Sequence, residues 1–267
     1  MVSTLTASCG RFGYARIDTR GDAGDVDAMV DATMDAAITV APPIHRYRFD
    51  GTGTVVLDTI GTADGTVMGA AALDGSGTLA LAGGATEQYV NLPNGIVSSQ
   101  QSVTIETWLV WDGDTGPWQR IFDFGNNVSG EDAQSNGTRH FSLAVNGTGR
   151  LRLVFDVDDN LDSTGWRVFW VSDALGAGVL RQVVATFDAT PSPSVITLYV
   201  DGVLGGMTDV PDTEGLADID DVNAWLGRAQ WDTDAELDAT LYDVRIYDYA
   251  LDASEVMSRF TEGADAP

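Results

Sequence analysis

Residues 117–125 read PWQRIFDFG, and residues 102–111 ahead of them read SVTIETWLVW. Both runs read as β-strands. Alternation puts Trp118, Arg120, Phe122 and Phe124 on one face of the second strand, and Gln119, Ile121 and Asp123 on the other. A guanidinium among three aromatic rings has to be paired or stacked, because an unpaired buried charge costs several kcal/mol. The Trp118 ring, two residues away, offers a cation–π contact of roughly 0.5–2 kcal/mol. Arg120 therefore reads as structural before it reads as ligand-binding.

Similar runs recur from Pro42 onward: HRYRF (45–49), YVNL (89–92), HFSLAV (140–145), RLRLVFDV (150–157), WRVFWV (166–171), LRQVVATF (180–187), VITLYV (195–200), VNAWLG (222–227) and ELDATLYDVRIY (236–247). Turn signals separate them, among them VNGTGR (145–150) and Asp201-Gly202, which fits a type I′ hairpin. DASEVMSRF (252–260) reads as a helix, with Asp252 or Ser254 as its cap. Many short strands at regular spacing predict an all-β, two-sheet antiparallel sandwich.

The chain has 267 residues and is 44% hydrophobic, enough for a full core. Its 33 Asp and 7 Glu face 14 Arg and no Lys, a formal net charge of −26. Such a field repels phosphate backbones and anionic headgroups, which argues against nucleic acid and acidic membranes and leaves divalent cations and neutral ligands open. Asp in such excess over Glu favours turns over helices. A lone cysteine, Cys9, permits no intrachain disulfide. No apolar run approaches the roughly 18 residues of a transmembrane segment.

Residues 1–43 differ from the rest. The stretch GDAGDVDAMVDATMDAA (21–37) carries one sign of charge and few large side chains. That composition predicts a disordered, flexible acidic tether over residues 10–41. The alternative is a short amphipathic helix with Val26, Met29, Val30 and Met34 on one face. STLTASC (3–9) resembles the end of a bacterial lipoprotein signal, with Cys9 as the lipidated residue and a possible lipid anchor. Thr6 stands where Leu is usual, and eight residues before Cys9 leave no basic region and no apolar stretch. The expected organisation is a truncated signal and tether (1–43), a sandwich domain (44–262) and a short tail (263–267).

The order SVTIETWLVW, WQRIFDFG, HFSLAV, RQVVATFD, ITLYVDGV, NAWLGRAQW and LYDVRIYDYALDASEV resembles the laminin G-like and pentraxin-like domains of bacterial secreted proteins, in the concanavalin A-like jelly-roll group. The resemblance covers nearly all of residues 44–262. It implies two packed antiparallel sheets, one curved, with ligands on the concave face or its loop rim. It implies binding of sugars or proteins without catalysis in many relatives, and it places the WQRIFDFG strand inside the sandwich next to the SVTIETWLVW strand, which makes Glu106, the carboxylate of that neighbouring strand, the ion partner implied for Arg120.

Three chemistries compete. Laminarinase-like and agarase-like hydrolases of this architecture carry Glu, then Asp two residues on, then Glu three further, with carboxyl groups about 5–5.5 Å apart. Here ELDATL supplies Glu236 and Asp238, but Leu241 stands at the acid/base position. The expectation is a non-enzyme, with a divergent glycoside hydrolase as the third-ranked reading. A structural Ca²⁺ would draw oxygens from Asp50, Asp58 and Asp64 in FDGTGTVVLDTIGTADG (49–65) and from Asp243. Tyr242 occupies the position where relatives often carry an acidic or amide ligand, and Asp-Gly turns are the alternative role for Asp50 and Asp64. DVDDNLD (156–162) is a second acidic loop without EF-hand spacing.

The third chemistry is sugar stacking on tryptophan. Trp108 and Trp225 sit in strand patterns and read as core. Trp231 in GRAQWDTD and Trp166 after NLDSTG lie at loop junctions, with Asp232 beside the former as a polar partner. The reading is an extracellular or cell-surface, alternatively periplasmic, binding module for glycan or glycoprotein. Its rival is an adhesive surface protein without a small-molecule site.

Overall fold

The computed structural model describes residues 38–158, 165–171 and 174–265. Cys9 and most of the expected tether, and residues 159–162 of the second acidic loop, lie outside the described residues.

The strands in chain order begin with β1 (His45–Tyr47), β2 (Thr52–Gly53), β3 (Val55–Val56), β4 (Gly65–Val67), β5 (Leu73–Asp74) and β6 (Leu79–Gly84). They continue with β7 (Val90–Leu92), β8 (Val103–Trp111), β9 (Gln119–Asn127), β10 (Gly137–Asn146), β11 (Arg150–Asp156) and β12 (Arg167–Val171). The last are β13 (Leu180–Asp188), β14 (Ser194–Val200), β15 (Val203–Val210), β16 (Asn223–Leu226) and β17 (Glu236–Tyr247), before helix α1 (Ala253–Glu262).

Two antiparallel sheets pack face to face. One runs β1-β17-β8-β13-β14-β15, with β6 also on β17; the other runs β12-β11-β10-β9-β16-β7-β4-β3. Alternate residues of each sheet enter one core. Ile105, Leu109, Ala185, Leu198, Leu241 and Ile246 come from the first sheet; Phe122, Phe124, Phe141, Leu143, Leu153 and Phe155 come from the second. Asp201 and Gly202 both take positive φ, 49° and 77°, in the β14–β15 hairpin, as a type I′ turn requires.

The strand arrangement departs from the sequence expectation in two places. β8 and β9 do not neighbour one another: β8 pairs with β13 and β17, whereas β9 pairs with β10 and β16 in the opposite sheet. The face assignment of 118–124 also changes. Leu143 opposes Phe122 and Ala144 opposes Arg120, which leaves Ile121 as an extra residue in a β-bulge. The bulge shifts the parity, so Phe122 and Phe124 enter the core while Arg120 turns to the outer face with Asp123.

Helix α1 closes the chain with Asp252 as its cap, accepting from Ser254 N (2.8 Å) and Glu255 N (2.9 Å), while Asp252 N donates back to Glu255. It lies on the outer face of the first sheet. There Val184, Tyr199, Tyr247, Leu251 and Val256 form a second small core, and Phe260 stacks on Trp108. The sandwich extends past its expected limits at both ends. Val40 packs on that second core, Ala41 N donates to Tyr249 Oη, and Ala264 O accepts from Arg46 and Arg245. Among the described residues no helix is long and apolar enough to cross a membrane.

Candidate functional site

The site is built on the outer face of the second sheet. Arg120 opposes Ala144 on β10, Ala144 opposes Arg152 on β11, and Arg152 opposes Trp170 on β12. Directly opposed residues share a face, so two arginines and a tryptophan stand in one row across four strands. The small Ala144 between the guanidinium groups leaves space above it.

Loops wall that space. Trp231 enters from the 227–235 loop, which is tied to the 128–136 loop by the Ser135–Trp231 bridge and by Asp232 N donating to Ser135 O at 3.0 Å. Its ring lies against Gly137, where a Cβ would come within 2.5 Å of the indole. Trp231 meets the edge of buried His140 at 4.9 Å between centroids and Trp166 at 5.9 Å, and Trp166 meets His140 at 5.3 Å. Trp118 enters from the other side with φ 61°, a left-handed conformation costly for a bulky residue. Trp118, Arg120, Arg152, Trp166, Trp231 and Asp234 enclose a cavity of about 180 Å³. Trp231 and Trp166, predicted from sequence, thus line one space, and Asp232 is exposed beside it.

The two arginines differ. Arg120, 1% exposed, has its donors taken: Nε donates to Asp123 (3.1 Å), Nη1 to Trp118 O (2.6 Å), and Nη2 pairs with Asp234 (2.9 Å). The expected pairing with Glu106 is absent, since that residue lies in the opposite sheet and binds Trp108, Gln182, Tyr247 and Arg245. Nor does the Trp118 ring serve Arg120; it lies 4.3 Å from Arg152 instead. Arg152 sits among Trp118, Trp166 and Trp170, at 4.3, 4.9 and 5.4 Å from the ring centroids.

Burial shapes the ionisation of this layer. It raises Asp123 to about 6 against the opposing pull of Arg120, and it raises Asp234 as well. Burial, with help from Arg120, lowers Arg152 to about 10. His140 is lowered to about 3, chiefly by burial; its Nδ1 contacts Thr138 O at 3.1 Å, and its Nε2 has no hydrogen-bond partner among the described residues.

The carboxylates expected to hold calcium do not converge. Asp58 accepts from the backbone of Arg46, Ile60, Gly61 and Ala63 and contacts His45 Nδ1 at 2.7 Å; Asp64 accepts from Asp58 N. Asp50 is exposed and faces Arg48, and Asp243 is held by both Arg46 and Arg245. Among the described residues no group of three or more His, Cys, Asp or Glu side chains is placed to hold a metal. These residues do not fit a Ca²⁺ site, because their oxygens already serve amide and guanidinium donors.

The hydrolase reading meets a similar obstacle. Glu236 is buried and accepts from Thr86 Oγ1 and Gln88 N, and Asp238 lies two residues on. Leu241 points into the core with Leu237 and Ala239. The position needing an acid/base thus faces away from Glu236.

Sequence reasoning missed Arg152, Asp234 and Trp170. A signal for the first was present: in RLRLVFDV, Arg150 and Arg152 alternate with Leu151 and Leu153, so an arginine pair lies opposite a core face.

Two antiparallel sheets around one core, with an aromatic and charged layer outside one of them, define a jelly-roll sandwich. The model of the concanavalin A-like lectin/glucanases superfamily, Laminin_G_3, matches residues 83–257, and the chain belongs to this laminin G-like family. A search of curated proteins returns no match. Among solved structures, domain 4 of AbnA, an extracellular arabinanase from Geobacillus stearothermophilus in complex with arabinotriose, aligns with a TM-score of 0.60 at 19% identity. That match covers 82% of this chain and 98% of that one. The CBM40 of Ruminococcus gnavus IT-sialidase, bound to α2,3 sialyllactose, aligns at TM-score 0.54 and 16% identity over 68% of this chain and 95% of that one. The binding domain of botulinum neurotoxin DC, in complex with rat synaptotagmin II, gives 0.60 and 17%, covering 82% of this chain and 51% of that one. At these identities the likeness concerns the fold.

Proposed function

We propose that this chain is a non-catalytic glycan-binding module of a secreted or cell-surface protein, with its ligand held between Trp231, Trp166 and Trp118. The observation that carries the reading is the cavity itself. Three indoles and two guanidinium groups line it, a combination suited to the apolar faces and hydroxyl rims of a sugar. At about 180 Å³ it is smaller than the ~300–1,000 Å³ of drug-sized sites, so one sugar unit enters and the rest of a chain lies outside. Asp234 at the cavity wall and exposed Asp232 at its rim are acceptors for hydroxyl groups. The arabinotriose and sialyllactose complexes of fold relatives support the same class of ligand.

Membrane attachment through Cys9 belongs to this proposal, and mass spectrometry of the protein isolated from its native membrane tests it. Calcium and glycoside hydrolysis do not belong to it, for the geometric reasons above. The test of binding is a glycan screen on the full chain with Trp231→Ala alongside. Binding that survives this substitution would remove the cavity as the site.

A further inference from the structure

From the unsatisfied state of Arg152 we infer that the cavity takes a sugar bearing a carboxylate, such as a uronic or sialic acid, with the carboxylate on Arg152. The inference rests on the glycan-binding reading and narrows it.

Arg152 is 8% exposed, and a guanidinium so far from water normally finds carboxylates or carbonyls. Arg120, in the same row two strands away, has its donors bound. Arg152 has no ion pair among the described residues, its Nε has no hydrogen-bond partner, and its surroundings are three indole faces. Asp123 and Asp234, the carboxylates nearest in charge, are committed to Arg120.

Ring faces partly offset the charge but accept no in-plane hydrogen bond, so among the described residues the buried Nε–H donor stays unused. A sugar hydroxyl would take one donor of the planar guanidinium fork. A carboxylate matches the fork bidentately, and the low-dielectric cage strengthens that contact. Asp234 repels an anion at its own end of the cavity. The carboxylate therefore lies between Trp118 and Trp166, and the sugar ring leans toward Trp231. The net charge of −26 does not prevent this, because repulsion beyond about 8–10 Å is screened at physiological salt.

The experiment is calorimetric titration of the full chain with two matched pairs: 3′-sialyllactose against lactose, and a glucuronic acid-terminated disaccharide against its glucose-terminated counterpart. At least one acid should bind tenfold or more tighter than its neutral partner, and the pair that responds identifies the source of the carboxylate. Arg152→Met, which keeps the stem among the indoles, should reduce that ratio to near one. Arg152→Lys, which keeps the charge without the fork, should fall between. The acid-to-neutral ratio on the unaltered chain needs no variant to fold. Equal binding of acid and neutral partners, abolished by Trp231→Ala, would overturn this inference and leave the glycan site standing. Absence of binding to all four probes and to a broad neutral panel would overturn both.

Discussion

Arg120 Nη2 and Asp234 meet at 2.9 Å, joining the bulged strand β9 to the loop that carries Trp231. The same guanidinium holds Asp123 beneath it and the Trp118 carbonyl beside it, so one residue fixes two walls of the cavity. Its role is positional, as its charge suggested, but through partners other than those the strand pattern indicated.

Removal of Arg120 leaves buried Asp123 and partly buried Asp234 without their ion partner. Arg120→Met should destabilise the fold by about 3–5 kcal/mol in denaturant unfolding. A double-mutant cycle should show strong coupling of Arg120 with Asp123 and coupling near zero with Glu106. Strong coupling to Glu106 would place β8 beside β9 after all.

Gly137 is the floor under Trp231. Gly137→Ala would force a methyl group to within 2.5 Å of the indole and displace the ring. The expected outcome is a loss of about 1–3 kcal/mol of stability from overpacking, a shifted tryptophan emission spectrum, and weaker glycan binding. Unchanged emission and binding would show that the ring does not rest there.

The outer layer has opposing acid responses. His140 is lowered from 6.5 to about 3, so as pH falls below 6.5 the unfolded chain takes a proton that the fold refuses, and stability is lost down to about pH 3. Asp123 and Asp156 are raised from 3.8 to about 6, so their contribution is present below 3.8 and lost as pH rises through 6. His140→Gln should remove the first response and expose the second. Unfolding curves of the variant should show stability rising from pH 7 to pH 4 relative to the parent.

Asp58 organises its loop through hydrogen bonds. Burial would raise it, but bonds from Gly61, His45, Arg46 and Ala63 together hold it at about 2. Its stabilisation is therefore present above 3.8 and lost as pH falls through 2. Asp58→Asn should destabilise the protein at neutral pH, and chelator should leave the unfolding midpoint of the parent unchanged. A midpoint lowered by chelator would require a cation site among these carboxylates.

Much of the fold was legible because local chemistry agreed with it. ELDATLYDVRIY is one strand from Glu236 to Tyr247, and Asp201-Gly202 forms its hairpin turn. The partition of strands between sheets was not legible, because β8 and β9 are consecutive in sequence and nothing in either run marks which sheet it joins. The face of Arg120 was misread for a definite reason: nothing in QRIFDF marks Ile121 as a bulge, and one inserted residue reverses every later side chain. Trp231 and Trp166 stand out in sequence by their place at loop junctions, and the structure brings both to one cavity. Arg152 and Asp234 do not stand out, since their meeting depends on register and on a loop tied down by Gln230 and Ser135.

The central claim is that the tryptophan-lined cavity binds glycan. The most direct measurement is titration of the full chain and of Trp231→Ala with the best-binding oligosaccharide of a mixed acidic and neutral panel. Saturable binding at one site per chain is expected, weakened at least tenfold in the variant, whose unfolding midpoint stays close to that of the parent. Binding of equal strength to both proteins would contradict it.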